Sequence, residues 1–207
     1  MELFRLWVEM IRYRLRFYAY LALGLAIITW IALIPLPDGN LQITVTDFWN
    51  IPTAITINLF LWIVFIKWLW KWRLFYSWLV PFPNLSGKWT GEISSNWIDP
   101  ATERTMPPTS AEVEIRQTFL NIYVMVKTEE MTSYSYVASF LIDNESGMKQ
   151  LCYSYTSKPD MNIRKRSVIH DGTAILEIVG DPANLLKGEY WTGRGTTGEI
   201  LLKRTMV

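Results

Sequence analysis

The chain has 207 residues, half of them apolar, and a formal net charge of +1, which argues against a dedicated DNA-binding protein. Its single cysteine, Cys152, excludes an intrachain disulfide and a cysteine-based zinc cluster. These averages conceal two unlike parts of the chain. Eight of the eleven Trp precede residue 84, and residues 1–83 carry a net charge of +3, against −2 for residues 84–207.

Two uncharged apolar runs in the first third of the chain predict transmembrane helices. The first extends from Phe17 to Leu36 and the second from Phe48 to Ile66, each close to the ~20 residues that cross a bilayer core. The first run lacks a small-residue cleavage site and is followed by a second span, which distinguishes it from a cleavable signal peptide. A core helix of a soluble domain is the alternative for one such run, but two adjacent runs favour a membrane hairpin.

The basic residues predict the orientation of this hairpin. Arginines precede the first run and lysines and an arginine follow the second, whereas the connecting loop holds only Asp38 and Asp47 as charged residues. By the positive-inside rule, both termini are cytoplasmic. The stretch KWLWKWRLFYSW after the second run predicts an interfacial belt of aromatic and basic side chains. Asn58, within the second run, predicts a helix–helix contact, either inside the hairpin or between chains.

A change of hydrophobic period marks the start of a second domain. The prolines of PFPN at 81–84 end the helical segment. Eight short alternating segments follow, from GKWTGEI to TGEILLKR and including Val137/Ser139/Leu141, separated by turn-rich pieces such as DNESG and GDPAN. The sequence therefore predicts a two-helix transmembrane region over residues 1–80 and an all-β domain over residues 81–207. Eight strands at this spacing predict an up-and-down, lipocalin-like β-barrel.

In such a barrel, the loops after the first, third, fifth and seventh predicted strands lie at the end far from the membrane helices. Binding residues commonly lie on such loops, and cations beside aromatic faces suit a ligand with phosphates and bases. Hydroxyl groups of Thr132, Ser133, Thr196 and Thr197 fall on the same rim. The predicted ligand-binding residues are Tyr153, Tyr155, Arg164, Arg166, His170, Tyr190, Thr192, Arg194 and Thr197.

Structural interpretations of several of these residues stay open. The run Arg164–Arg166 also fits a solvated charge run, and His170 before Asp-Gly also fits a residue that shapes a turn. On the seventh predicted strand, either Tyr190 and Arg194 face inward, which is favoured, or Trp191 does. Trp89 is predicted to plug the closed end of the barrel, with Arg204 of the final strand stacked on its ring.

No catalytic constellation is recognisable in the sequence. There is no Gly-rich phosphate loop, no HExxH and no Ser–His–Asp set with a nucleophile elbow. With one His and one Cys, far apart in sequence, the chain is expected to be neither an enzyme nor a holder of a metal or cofactor.

The layout of the whole chain resembles that of the bacterial CBASS effectors built from two transmembrane helices and a β-strand-rich domain. The resemblance rests on the two spans and on the stretches PNLSGKWTGEI, HDGTAILEI and LLKGEYWTGRGTTGEILLKR. The last of these is its most specific part. The Gly-x-Trp opening also resembles lipocalin-like and avidin-like barrels, through a shorter motif.

The resemblance implies a receptor for a cyclic di- or trinucleotide that a partner nucleotidyltransferase makes after phage infection. Ligand binding would then drive homo-oligomerisation of the helices in the bilayer of the inner membrane, loss of membrane integrity, and arrest or death of the infected cell. Two alternatives stay open. A membrane-tethered lipocalin-like carrier of a small apolar ligand predicts an apolar cavity without a cationic mouth, and a protein-binding barrel scaffold predicts no cavity.

Overall fold

The computed structural model describes residues 2–35, 43–76, 78–99, 104–105, 107–143, 146–165 and 167–205, with side chains from residue 16 onward except at 99 and 104. The chain divides into two compact units, Met1–Trp68 and Leu69–Val207. The first contains helices α1 (Glu2–Ala32) and α2 (Ile51–Lys67), with a 3-10 helix over Val45–Asn50 before α2.

One helical stretch of the described residues, Val45–Lys67, is long and apolar enough to cross a membrane, and Arg16–Ala32 is a shorter apolar helix. The second predicted span, Phe48–Ile66, lies within the first of these stretches. The first predicted span begins at Phe17 in α1, and its predicted end, Leu36, lies outside the described residues. A two-helix membrane hairpin therefore stays a prediction.

Polar side chains near the C-terminal end of α1 contact α2 and the 3-10 helix that precedes it. The Asn58 side-chain amide donates to Thr29 Oγ1 at 3.0 Å and to the Ala54 carbonyl at 2.8 Å. Trp30, the residue after Thr29, donates from Nε1 to the carbonyl of Asp47 in the 3-10 helix at 2.9 Å. The helix–helix contact predicted for Asn58 is thus made between α1 and α2, where the amide NH2 group finds two acceptors. Among the described residues, the buried Asn58 Oδ1 has no hydrogen-bond partner.

The second unit is an antiparallel β-barrel. Side chains alternate along each strand, so that one set faces the inside of the barrel and the other faces outward. Its strands, in chain order with the short β2 and β3, are β1 (Gly87–Ser95), β2 (Ile98–Asp99), β3 (Arg104–Thr105), β4 (Thr109–Gln117), β5 (Ile122–Lys127), β6 (Met131–Ile142), β7 (Lys149–Pro159), β8 (His170–Val179), β9 (Leu185–Thr192) and β10 (Thr197–Arg204).

The order β1-β10-β9-β8-β7-β6-β5-β4 closes the sheet, so the predicted eight-stranded up-and-down barrel is confirmed. Strands β2 and β3 form a separate two-stranded sheet in the loop after β1. They were predicted as loop, because two residues are too few to show an alternation of apolar and polar side chains.

The apolar core fills the end of the barrel at which the chain enters β1. Leu85, Trp89, Leu151 and Leu186 are completely buried there. Gln117 fixes the entering segment, because its side chain accepts from the Leu85 N–H at 2.7 Å and donates to the Pro83 carbonyl at 3.1 Å. We call this the closed end of the barrel.

A β-bulge between Ser135 and Val137 changes which residues of β6 face inward. Ser133 and Ser135 are buried before the bulge, whereas Val137 is exposed after it. The alternating set that begins at Val137 therefore starts on the outer face, since one extra residue reverses the facing of the strand. At the bulge, the Val124 N–H donates to Ser135 Oγ at 2.9 Å instead of to a backbone carbonyl.

Candidate ligand site

A cavity of about 160 Å³ lies at the end of the barrel opposite to Trp89. Its lining comes from the last residues of β1, β5, β7 and β9 and from the first residues of β4, β6, β8 and β10, together with residues of the adjoining loops. We call this the mouth. It is the end at which the strand order places the loops that were predicted to carry the binding residues.

Three tyrosines from two strands form the aromatic part of the cavity wall. Tyr153 and Tyr155 on β7 are buried, with ring centroids 5.7 Å apart, and Tyr190 on β9 is buried as well. The favoured inward orientation of Tyr190 is confirmed, and Trp191 lies outside. Burial raises the pKa of the Tyr153 and Tyr155 hydroxyls, so both remain neutral and able to donate hydrogen bonds at physiological pH.

Two glycines provide the space that these tyrosine rings occupy. A Cβ at Gly172 would lie 2.6 Å from the Tyr155 hydroxyl oxygen, and a Cβ at Gly198 would lie 2.6 Å from Tyr190 Cε1. Each ring therefore lies across the backbone of a neighbouring strand, a close approach that glycine allows. The glycines are part of the reason that the rings line the cavity.

Arg194, just after β9, supplies a positive charge at the mouth. Its guanidinium donates to Ser167 Oγ at 2.9 Å and lies 3.3 Å from His170 Nε2, and the residue is partly exposed to solvent. Among the residues that the structure describes, Arg194 forms no salt bridge. Partial burial lowers the pKa of Arg194, but from a value so high that the group stays charged near neutral pH.

The geometry of His170 favours a neutral imidazole that accepts from Arg194. His170 Nδ1 lies 2.9 Å from the Val168 carbonyl, so this nitrogen is the donor and Nε2 is free to accept. Burial lowers the pKa of His170, and the charge of Arg194 acts in the same direction. At neutral pH, the positive charge of this pair therefore resides on the arginine.

Buried hydroxyl groups complete the wall. Ser133 Oγ and Ser157 Oγ are hydrogen-bonded at 2.6 Å, and Thr192 Oγ1 donates to the Thr196 carbonyl at 3.4 Å. Ser167, which holds Arg194, is also buried. Ser133 and Thr196 were expected among the rim hydroxyls, but Ser157 and Ser167 were missed, because a serine in a strand or loop gives no periodic or charge pattern that distinguishes it.

The cavity brings together most of the predicted ligand-binding residues. Six of them line it: Tyr153, Tyr155, His170, Tyr190, Thr192 and Arg194. Arg164 and Thr197 are not among the lining residues, and Arg166 lies outside the described residues.

Local backbone geometry explains the placement of the two residues that lie off the cavity. After β7, the chain makes a helical turn in which the Arg164 N–H donates to the Asp160 carbonyl at 3.1 Å, and this turns Arg164 Nε towards the Pro159 carbonyl, also at 3.1 Å. At the start of β10 the side chains alternate, so that Thr196, just before the strand, is buried and Thr197 is exposed.

At the closed end, Arg204 lies over the ring of Trp89, with its guanidinium carbon 5.3 Å from the ring centroid. The guanidinium also donates to the backbone carbonyls of Asn84, Ala183 and Ser86 at 3.2, 3.2 and 2.6 Å. Trp89 Nε1 donates to the Leu85 carbonyl at 2.9 Å. This is the arrangement that a structural plug at this end requires.

The cavity and its wall can be compared with what each alternative function of the barrel predicted. A carrier of an apolar ligand was expected to lack a cationic mouth, whereas Arg194 lies at this mouth beside several hydroxyls. A barrel that only binds another protein was expected to have no cavity, whereas this barrel has one.

Within the described part of the chain, no cluster of three or more His, Cys, Asp or Glu side chains has the arrangement of a metal site.

Comparisons with known proteins match the barrel unit. The family profile described as "Cap15, cyclic dinucleotide receptor domain" matches residues 80–204, which include the whole barrel. CD-NTase-associated protein 15 of Staphylococcus schleiferi is 32% identical over 151 residues, which are 73% of this chain and 76% of that relative.

Proposed function

The chain belongs to the family of proteins with a Cap15 cyclic dinucleotide receptor domain, and we propose that it is a membrane-anchored cyclic dinucleotide receptor acting as a CBASS effector. The observation that carries the proposal is the charged guanidinium of Arg194 beside a cavity walled by tyrosines and hydroxyls. A guanidinium suits phosphate oxygens, aromatic faces suit bases, and hydroxyls suit the polar edges of bases and riboses.

The size of the cavity limits how a cyclic dinucleotide can bind. At about 160 Å³, it is smaller than the roughly 300–1,000 Å³ of pockets that enclose drug-sized ligands. One base would therefore enter the cavity against the rings of Tyr155 and Tyr190. The phosphates and the second base would stay at the mouth, where Arg194 exchanges its bonds to Ser167 and His170 for phosphate oxygens.

The membrane part of the proposal rests on the helical unit. The helix ending at Lys67 is apolar enough to cross a bilayer, and many of its apolar side chains, such as Leu59 and Phe60, are exposed. We propose two spans in the bacterial inner membrane with both termini and the barrel in the cytoplasm. Residues 17–32 and 48–66 carry no charged side chain, and their polar groups, such as Asn58, are uncharged. A defect in the bilayer would therefore require several copies of the chain.

Ligand binding can promote such assembly only through a difference in affinity. A cyclic dinucleotide that binds the assembled receptor more tightly than the single chain would shift the population towards the assembly by that ratio. A ligand lying partly outside the mouth is suited to this role, because its exposed part remains available to a neighbouring chain. Permeabilisation of the inner membrane would then stop growth of the infected cell.

The receptor proposal is tested by titrating the full chain in detergent with cyclic dinucleotides and cyclic trinucleotides. A bound ligand should raise the melting temperature of the barrel with ligand concentration, by mass action. We expect a cyclic dinucleotide to do so and its linear hydrolysis product to have a much weaker effect. No increase with any cyclic nucleotide would reject the proposal.

Two arginine variants test the position of the site. Arg194→Ala removes charge-assisted hydrogen bonds worth about 1.5–3 kcal/mol and should weaken binding about 10- to 100-fold. Arg164→Ala is the matched control, because its guanidinium is turned towards Pro159, and it should change the affinity less than about threefold. The opposite ranking would place the site on the loop after β7 and not in the cavity.

The effector step needs a separate measurement. The full chain in vesicles that contain a trapped dye should release the dye when the cyclic dinucleotide is added, and Arg194→Ala should require a correspondingly higher ligand concentration. Binding without dye release would leave the receptor in place and reject membrane permeabilisation.

A further inference from the structure

The closed end of the barrel presents a group of exposed apolar side chains. They come from the segment that precedes the barrel and from two turns, β4–β5 and β6–β7, and their exposed fractions range from 48% to 72%. Two exposed basic side chains, Lys71 and Arg73, lie in the same segment. We call this set the docking face: Lys71, Trp72, Arg73, Leu74, Trp78, Leu120 and Met148.

The docking face is held on the barrel by specific contacts within the second unit. The buried ring of Trp70 lies 6.0 Å from that of Phe82 and 6.4 Å from that of Phe119, the residue before Leu120. Lys149, the residue after Met148, donates from Nζ to the Tyr76 hydroxyl at 2.8 Å. The segment from residue 69 to residue 82 and the two turns therefore form one surface of the barrel unit.

The short chain segment between α2 and Trp72 limits how far the docking face can lie from the end of α2. Trp72 is five residues beyond Lys67, the last residue of α2, and five residues span at most about 18 Å. If α2 crosses the membrane, Trp72 must lie close to the headgroups at its end. Because the segment that contains Trp72 is packed against the closed end, that end of the barrel would then also lie near the bilayer surface.

Exposed apolar side chains alone do not identify the closed end as the membrane-binding surface, because the mouth has exposed apolar side chains as well. Met161, Val168 and Ile169 are exposed by 77%, 62% and 51%. What distinguishes the docking face is its chain connection to the apolar helix and its composition. Trp beside Lys and Arg is the combination that suits the boundary between headgroups and acyl chains, and the basic residues complement anionic lipids.

We propose that the docking face binds the interface of the bilayer in which α2 is embedded, so that Leu120 and Met148 enter the headgroup region. Lys71 and Arg73 contact anionic headgroups, and the mouth is directed away from the membrane, open to ligand. This inference requires α2 to cross the membrane and is independent of the identity of the ligand.

The test uses the full chain in vesicles of phosphatidylcholine and phosphatidylglycerol, with Cys152→Ser as the background, since Cys152 is the one native cysteine. An environment-sensitive fluorophore is attached at Leu120→Cys or, as the matched control at the mouth, at Met161→Cys. A lipid with a spin label near the headgroup serves as the quencher. We expect a blue-shifted emission at 120 that the lipid quenches at least twofold more than the emission at 161.

Equal quenching at the two positions, or stronger quenching at 161, would overturn the proposal. A blue shift at 120 without quenching would assign the face to contact with protein, such as a second copy, and would also overturn it. As a further check, Leu120→Asp should reduce the quenching of a fluorophore at Met148→Cys, and Met161→Asp should leave it unchanged. Retained quenching in Leu120→Asp would contradict a role for this turn.

Discussion

Two arginines at opposite ends of the barrel have opposite surroundings. Arg204, at the end of β10, covers the ring of Trp89 and donates to three backbone carbonyls. Arg194, just after β9, is bound by the hydroxyl of Ser167 and lies beside the imidazole of His170. The first is surrounded by backbone groups of the closed end, whereas the second is at the border between a cavity and solvent.

The same side chain is thus held by fixed partners at one end of the barrel and, in the proposed function, is available to a ligand at the other. Backbone carbonyls are fixed by the fold, so removing Arg204 leaves them without their donor. A serine hydroxyl and an imidazole can turn to other partners or to water, so Arg194 can exchange them for a phosphate at little cost. The closed end should therefore determine stability and the mouth should determine affinity.

The largest expected effect on stability belongs to Trp89→Ala. The ring is completely buried, and truncation of a buried Trp destabilises a domain by about 3–5 kcal/mol. Denaturant unfolding of the full chain, followed by the circular dichroism of the barrel, measures the loss. The control Trp191→Ala, at a half-exposed position of β9, should cost less than about 1 kcal/mol. Similar losses in the two variants would contradict the plug.

The next largest effect is a difference in stability between variants of Arg204 and Arg194. Arg204→Ala should lower the free energy of unfolding by about 1.5–3 kcal/mol, because hydrogen bonds from a charged group are lost. Arg194→Ala should lower it by less than about 0.5 kcal/mol, while it weakens binding as proposed above. The comparison fails if Arg194→Ala is as destabilising as Arg204→Ala, or if Arg204→Ala lowers the affinity without lowering stability.

The smallest effect is the pH dependence contributed by His170. Burial keeps its pKa below the ordinary value near 6.5. The unfolded chain therefore binds a proton first as pH falls, and the stability due to neutral His170 is complete above about pH 6.5 and is lost as pH falls through the folded-state pKa. In the ligand-free chain, the melting temperature should thus fall less steeply below about pH 6.5 in His170→Gln than in the wild type.

Ligand should reverse the direction of this pH effect. A phosphate beside Arg194 and His170 would favour the imidazolium, so the ligand-induced rise in melting temperature should be larger at about pH 5.5 than at about pH 7.5. His170→Gln should remove this difference. A wild-type rise that is the same at both pH values would indicate that the phosphates lie away from His170.

Much of the barrel was predictable, because alternation of side chains is a local property. The strand that carries Tyr153 and Tyr155 and the strand that carries Tyr190 show it clearly, and the topology then brings their ends to one mouth. The bulge at Ser135 was not predictable, because it depends on how β6 pairs with its neighbours. With it, Val137 faces outward although Ser133 and Ser135 face inward, and nothing in the sequence indicates this change.

Within the candidate site, the sequence indicated the charged and aromatic residues but not which of them line the cavity. Arg194 and Arg164 look alike in the sequence, and what separates them is a turn of backbone hydrogen bonds after Asp160. The hydroxyls of Ser157 and Ser167 matter only because the fold buries them beside the cavity. The burial of these serines results from tertiary packing, and it cannot be predicted from the residues next to them in the sequence.

The closed sheet has a consequence for a protein that would be crowded with its copies on a membrane. Each of the eight barrel strands is paired on both sides, so the barrel offers no row of free backbone donors and acceptors on which another chain could add a strand. Templated, fibril-like growth therefore has no starting point on the folded barrel. Association of the barrels themselves is therefore expected to use side-chain contacts and not an added strand.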